Sequence, residues 1–193
     1  MEAGEPAVDD VIRLDGRPTG LALKRWFMSL GLLEIERLNN PVDMIEFVAA
    51  TNDWTFERSG EDEIAMTVGG RWADYHVSFS WMSHYEALHL ACAFDLRVPD
   101  HRVNEVVRLL SRVNAQVLMG HFDFWAHENV VVYRQSLLLA GGAEPTNQQV
   151  EGTLSSGLDA CENYFQAFQF VVWSGMSADD AMKAVLFETV GEA

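Results

Sequence analysis

Gly69-Gly-Arg-Trp-Ala-Asp-Tyr-His-Val-Ser-Phe-Ser-Trp81, then a short polar break and Ala87-Leu-His-Leu-Ala-Cys-Ala-Phe-Asp-Leu96, decides the fold of this 193-residue chain. Gly69-Gly70-Arg71 carries turn chemistry. Past it, Tyr75, Val77, Phe79 and Trp81 alternate with Asp74, His76, Ser78 and Ser80, the two-residue period of a half-buried strand. In the second run Leu88, Leu90, Cys92, Phe94 and Leu96 share one face, and Ala87, His89, Ala91, Ala93 and Asp95 the other. With Met82–Glu86 as the connection, pairing Trp81 with Leu88 sets every apolar residue of one strand against an apolar residue of the next. A slip of one residue would turn a whole apolar row to the wrong face, so this register is strongly specified.

Upstream, Asn40-Pro41-Val42-Asp43 reads as a helix start, with Asn40 as cap and Pro41 in the first turn. The helix runs to about Asn52 and buries Val42, Ile45, Val48 and Ala49. Trp54–Arg58 and the alternating Ile64, Met66 and Val68 follow as strands. Downstream, Pro99 opens a helix with a stripe of Val103, Val106, Val107, Leu110, Val113 and Val117, closed near Gly120. Phe122–Trp125 and Val130–Leu139 form a second hairpin, turned near His127-Glu128-Asn129. Thr146 and Gln149 make a capping box for a long helix, with core positions Val150, Leu154, Leu158, Cys161, Phe165, Phe168 and Val172. Gly175 breaks it, and Ser177 with Asp180 caps a last helix carrying Ala181, Val185 and Leu186. The order is helix, four strands, helix, two strands, two helices. It predicts an α+β fold, an antiparallel sheet of about five to six strands with helices layered on it.

Residues 1–27 combine Pro6, Gly16, Pro18 and Gly20 with scattered acids, so they are expected to be a disordered extension, with residues 28–193 a single domain. Met28 is a candidate alternative translation start. The apolar stretch from Leu21 to Leu33 is short, is followed by Glu34 and Glu36, and has no small-residue cleavage site, so it does not read as a signal peptide. No run approaches the roughly 20 apolar residues that span a bilayer. Apolar residues make up 49% of the chain, a globular composition. The formal net charge is −16 and only Lys24 and Lys183 are lysines, which argues against nucleic acid or an anionic membrane surface as partner. Arg97, Arg102, Arg108 and Arg112 lie close in sequence, but on a helix Arg108 and Arg112 read first as a solvated stripe. Cys92 and Cys161 occupy apolar-periodic positions with no CxxC spacing, which reads as two buried thiols in a cytoplasmic protein.

No catalytic signature stands out. The register places His76 opposite Ala93 and His89 opposite Ser80, about 13 Å apart at a rise of roughly 3.3 Å per residue. They cannot share an ion, and His84, His121 and His127 have no partners at ligand spacing, so no metal and no cofactor is expected. Asp74 and Asp95 face each other on the polar side, where two carboxylates need a cation such as Arg71 or Arg97 beside them; an ion-pair cluster is the plainer reading than acid–base work. Gly141-Gly142 precedes a proline and has no lysine, so it is no phosphate loop. The more informative feature is the face made by Ser78, Ser80, Ala87, Ala91 and Ala93, which has few long side chains. Such a face either admits a second element or faces solvent. The second half of the long helix, Tyr164 to Trp173, is apolar nearly all round. It must be buried, either by the last helix or by a partner.

Gly70-Arg-Trp-Ala-Asp-Tyr-His76, Leu96-Arg-Val-Pro99, Gly120-His-Phe-Asp-Phe-Trp125, Ala167-Phe-Gln-Phe-Val-Val-Trp-Ser-Gly175 and Glu188-Thr-Val-Gly-Glu-Ala193 together resemble the YbjN-domain proteins of alphaproteobacterial type, from about Asn40 to the C-terminus. The resemblance implies a regulator of sensory transduction with a type III secretion chaperone-like fold, one that often dimerises and binds polypeptides. It supplies no catalytic residues. The expectation is a non-enzymatic, cytoplasmic, regulatory or chaperone-like module that binds a protein partner and forms a homodimer. Its candidate binding face is Asp74, His76, Ser78, Ser80, His89, Ala91, Ala93 and Asp95. Arg97, Arg108 and Arg112 are the candidate interface beside the helix that follows Pro99. The alternative is a small-ligand or enzymatic site on the polar face, using Asp74, His76, Asp95 and Arg97.

Overall fold

The computed structural model describes residues 40–52 and 54–191, with side chains to 185; the expectations for residues 1–27 and Met28 lie outside the described residues. Helix α1 (Pro41–Thr51) begins where Asn40 Oδ1 accepts the Val42 N–H at 2.9 Å, and it buries Val42, Ile45, Val48 and Ala49. The strands β1 (Phe56–Arg58), β2 (Glu63–Gly69), β3 (Asp74–Met82) and β4 (Ala87–Arg97) follow, β3 and β4 joined by a 3-10 turn at Ser83–Tyr85. Helix α2 (Val103–Asn114) leads to the hairpin β5 (His121–Trp125) and β6 (Val130–Leu138). Helices α3 (Asn147–Val172) and α4 (Ala178–Gly191) complete the order.

The six strands of the described residues form one antiparallel sheet in the order β1-β2-β3-β4-β6-β5. The central register has Trp81 opposite Leu88, His76 opposite Ala93 and Ser80 opposite His89, as the alternation predicts. After α2 the chain enters at the far edge as β5 and returns as β6 beside β4. The apolar rows of the sheet join Val42, Ile45, Val106, Leu109, Val113, Leu154, Phe165, Phe168 and Val185 in one core. The four helices of the described residues therefore lie on one side of the sheet: α1 against β2 and β3, α3 against β4 and β6, α2 against β5, and α4 against α2 and α3.

Two helix expectations need correction. Pro99 begins not the α-helix but a 3-10 turn at Asp100–Arg102, and α2 ends at Asn114 rather than near Gly120. Gly120 instead sits at φ +67° beside β5, where a Cβ would run into the Tyr133 hydroxyl and the Arg134 carbonyl. The buried stripe of α2 is Val106, Leu109, Leu110 and Val113; Val107 is 50% exposed. The i, i+3, i+4, i+7 spacing from Val106 sets the core-facing arc, and Val107 falls outside it.

Other local signals hold. Thr146 and Gln149 form the reciprocal capping box of α3, and the Asp180 N–H donates to Ser177 Oγ at the start of α4. Phe165, Ala167, Phe168, Val171 and Val172 are buried by the chain's own core, so of the apolar second half of α3 only Trp173 is strongly exposed. Two side chains near the start of α2 anchor the α3–α4 corner. Arg102 donates to the Val171 and Met176 carbonyls at 2.8 and 2.7 Å, and Glu105 accepts the Ala178 N–H at 2.7 Å. That amide and the nearby Arg108 hold the Glu105 carboxyl below the usual carboxylate range.

Candidate functional site

The sheet face opposite the helices is built from cross-strand rows. One row runs Glu57, Ala65, Ser78, Ala91, Arg134 and His121 from β1 to β5; the next runs Thr67, His76, Ala93, Val132 and Asp123. Side chains opposite one another in a sheet stand about 5 Å apart, so a row of Ala and Ser leaves a depression wherever longer neighbours flank it. The depression here is a cleft of about 670 Å³. Ala65, Thr67, His76, Ser78, Ala91, Ala93 and Val132 make its floor. Thr55, Phe56 and Glu57 form one wall, and Trp125, Glu128 and Val130 the other.

That second wall has a local cause. The β4–β6 ladder loses register between Ala93 and Arg97, so three β4 residues face one residue of β6. A bulge of this kind twists the strands away from each other. Asn129, at φ 57°, turns the hairpin beside it. Ala91 and Val132 are nearly inaccessible on this face, whereas His76 and Thr67 are exposed, with Thr67 Oγ1 and His76 Nδ1 3.5 Å apart.

The sequence-derived face divides. His76, Ser78, Ala91 and Ala93 line the cleft. His89 lies four positions along β4 from the residue opposite His76 and belongs to a smaller hollow of about 210 Å³ with His121, Arg134, Gln135 and Ser136. Arg134 Nε donates to His89 Nε2 at 3.3 Å, and Arg134 Nη1 pairs with Asp123 at 3.1 Å. Burial, Arg134 and His121 together hold the His89 imidazole below its ordinary pKa, in the neutral form that can accept this bond. Ser80 is half-buried opposite His89, in a row of the smaller hollow, and lines neither hollow.

Asp74 and Asp95 lie one residue beyond the end of the β3–β4 ladder at Tyr75–Phe94, both exposed, and neither lines the cleft. Arg97 is exposed at the end of β4. Arg108 and Arg112 are engaged within the chain, with Glu105 at 3.2 Å and Asp179 at 2.6 Å. Of Asp74, His76, Asp95 and Arg97, His76 alone lines the cleft. Among the described residues no group of three or more His, Cys, Asp or Glu converges as a metal site would require. What sequence reading missed are Ala65 and Thr67 on β2 and Val132 and Trp125 from the second hairpin. The β2 residues carried a usable signal, since they alternate with Ile64, Met66 and Val68. The hairpin residues carried none, because the pairing of β6 with β4 is decided at long range.

The two cysteines meet in the core. Cys92 of β4 and Cys161 of α3 are buried free thiols with their sulfurs 3.5 Å apart. The contact with Cys92 and burial both push the Cys161 thiol up, which keeps it protonated and unreactive.

Fold and cleft define an α+β protein with one helix-covered sheet face and, among the described residues, one small-residued face that no helix covers. The model of the YbjN family, described as "Putative bacterial sensory transduction regulator", matches residues 41–170, and the chain belongs to that family. No curated protein matches the sequence. Among solved structures the chain is similar to one in the "Crystal Structure of the ExsC-ExsE Complex", with 19% identity over 63% of this chain and 88% of that one, TM-score 0.49. It is also similar to YbjN from E. coli, described as "a putative transcription regulator", with 14% identity over 63% and 85% of the two chains, TM-score 0.47. Among the described residues no helix is long and apolar enough to cross a membrane.

Proposed function

We propose that this protein is a non-enzymatic regulatory module that binds a polypeptide segment in the cleft across its open sheet face. The observation that carries the reading is the floor of Ala65, Ser78, Ala91, Ala93 and Val132, walled by the β1 edge and by Trp125. A floor without long side chains lets a partner backbone come close, and its apolar lining supplies the desolvation gain that binding needs. Membership of a family described as regulators fits a binding role. The proposal includes the homodimer and the cytoplasmic setting that the family resemblance implies; two free buried thiols suit a reducing compartment.

The test is a photo-crosslinking amino acid placed at Ser78 in the cleft or at exposed Glu151 on α3, in the native cell. The expected result is polypeptide adducts from position 78 that are absent from position 151 and lost when Ala93→Trp fills the floor. Identical adducts from both positions would overturn the reading. Light scattering that finds only monomer removes the homodimer and leaves the cleft.

A second reading is favoured by size, since about 670 Å³ falls within the roughly 300–1,000 Å³ of small-molecule sites. A metabolite retained in native mass spectrometry, and displaced by Ala93→Trp, selects it over the first.

A further inference from the structure

The two edges of the sheet are finished differently. In β5 the pairs with β6 turn alternate backbone groups outward, and those of Phe122 are met by a side chain. Asn114, the last residue of α2, donates from Nδ2 to the Phe122 carbonyl at 2.9 Å and accepts the Phe122 N–H on Oδ1 at 2.7 Å. The primary amide thus stands in for a neighbouring strand. Two residues on, the Phe124 N–H donates to Asp123 Oδ1 at 2.9 Å. An edge closed in this way cannot easily take another chain.

The β1 edge has no such closure. The Thr67 N–H donates to the Thr55 carbonyl at 3.4 Å and the Ser59 N–H to the Glu63 carbonyl at 3.1 Å, which fixes the odd-numbered residues as those bonded to β2. By the alternation of an antiparallel ladder, the backbone groups of Phe56 and Arg58 point away from the sheet. Among the described residues these groups have no hydrogen-bond partner. This edge is also the wall of the cleft, through Thr55, Phe56 and Glu57.

The chemistry of an added strand follows from the alternation of faces. Its residue opposite Glu57 stands on the cleft side, next to a carboxylate that is exposed and has no cation among the described residues. Arg58 does not serve Glu57, because its guanidinium is held on the other side by Asp43 and Glu46, each at 2.7 Å. A lysine or arginine is therefore the complementary residue opposite Glu57. The residues on either side of it face the helix layer, where Phe56 is half-buried against the core, and apolar side chains fit there. A second copy of this chain fits poorly. The register that uses both Phe56 and Arg58 would set Glu57 against Glu57 of the copy, between two chains each carrying −16.

We propose that β1 is a strand-addition edge for an extended partner segment that alternates apolar and basic residues. The proposal rests on the reading of the cleft as a polypeptide site, and names the partner's conformation and chemistry. In an antiparallel pair the added residues opposite Phe56 and Arg58 turn their N–H groups toward β1, whereas the one opposite Glu57 turns its N–H away. The apolar residues therefore carry the ladder bonds and the basic residues carry the charge pairing.

The experiment measures fluorescence anisotropy of short labelled peptides with the full-length chain. The probes are a peptide alternating valine and lysine, one alternating valine and glutamate, and two copies of the first N-methylated at either its valines or its lysines. The valine–lysine peptide should bind at least about tenfold tighter than the valine–glutamate peptide, a difference near 1.4 kcal/mol. N-methylation at valine should remove binding, and N-methylation at lysine should leave it. Glu57→Lys, at an exposed position and with its melting temperature checked, should reverse the preference between the two unmodified peptides. Equal effects from both N-methylated peptides, an unchanged preference in Glu57→Lys, or no binding of any peptide up to about 1 mM overturns the edge proposal. If binding is lost in Ala93→Trp yet indifferent to where the N-methyl groups lie, the cleft stands and the edge falls. If N-methylation matters but Ala93→Trp binds normally, the edge stands and the cleft reading falls.

Discussion

Asn114 gives the sharpest test of how this sheet is finished. Replacing it by alanine removes two hydrogen bonds, of 2.9 and 2.7 Å, and leaves both backbone groups of Phe122 unmet at a residue only 2% exposed. A net hydrogen bond contributes about 1 kcal/mol, and a buried group left unpaired costs about 1–3 kcal/mol. Water reaches the edge of β5 more readily than the interior, so the lower end applies and the expected loss is about 2 kcal/mol. For a chain of this size that is a fall in Tm of about 4–8 °C. Urea unfolding of Asn114→Ala should show a lower midpoint with an unchanged slope, since the area buried in the fold is the same. Hydrogen exchange at the Phe122 amide should accelerate, and a concentration-dependent association should appear as the β5 edge becomes available. Asn114→Asp, which keeps the acceptor and loses the donor, should recover part of the loss. A change in stability below about 0.5 kcal/mol, with unaltered exchange at Phe122, would refute the idea that the amide closes this edge.

Other expectations follow from buried polar groups and from backbone geometry. The Tyr75 hydroxyl is buried with no partner in hydrogen-bonding geometry among the described residues, although the Glu162 carboxylate is near enough for its charge to help hold the proton on. Tyr75→Phe should therefore be neutral or stabilising by up to about 1 kcal/mol in denaturant titrations, and a loss beyond 1 kcal/mol would show that the hydroxyl is bonded. Cys92 and Cys161 should both resist a disulfide reagent in the folded protein and react fully in guanidinium; reaction at the rate of a free thiol in the native state contradicts their burial. The Cys161 thiol and the Tyr75 and Tyr133 phenols are all raised, Cys161 first by its contact with Cys92 and the phenols first by burial. The unfolded chain loses these protons at ordinary values of about 8.5 to 10 while the folded chain keeps them. Stability is thus fully present below about pH 8 and should decline as pH rises toward 10, and a flat profile over that range is the contrary result. Gly120→Ala should cost at least about 1–2 kcal/mol, because φ +67° suits glycine and the new Cβ meets Tyr133 and Arg134; calorimetry that finds no fall in Tm contradicts this.

By itself the sequence determined the local structure and the central register. Two alternating apolar rows, Tyr75 to Trp81 and Leu88 to Leu96, admit one pairing, and that pairing is present. The caps at Asn40, Thr146 and Ser177 were legible because capping is an interaction over two or three residues. The small face was legible too, since side chains alternate strictly along a strand. Tertiary structure alone decided the rest. No neighbour in sequence says that β6 and not β5 lies beside β4, so the joining of His89 to Arg134 and His121, and of Ala93 to Val132, could not be read in advance. The choice of Leu109 over Val107 depended on how α2 turns its face to the core, where the sequence offered apolar residues at both positions. Arg102 and Asn114 look like ordinary polar residues along the chain. Their use as an anchor for the α3–α4 corner and as a false strand on the β5 edge arises only when distant backbone groups arrive without partners. A periodic pattern fixes which way a side chain faces, and packing fixes what it meets there.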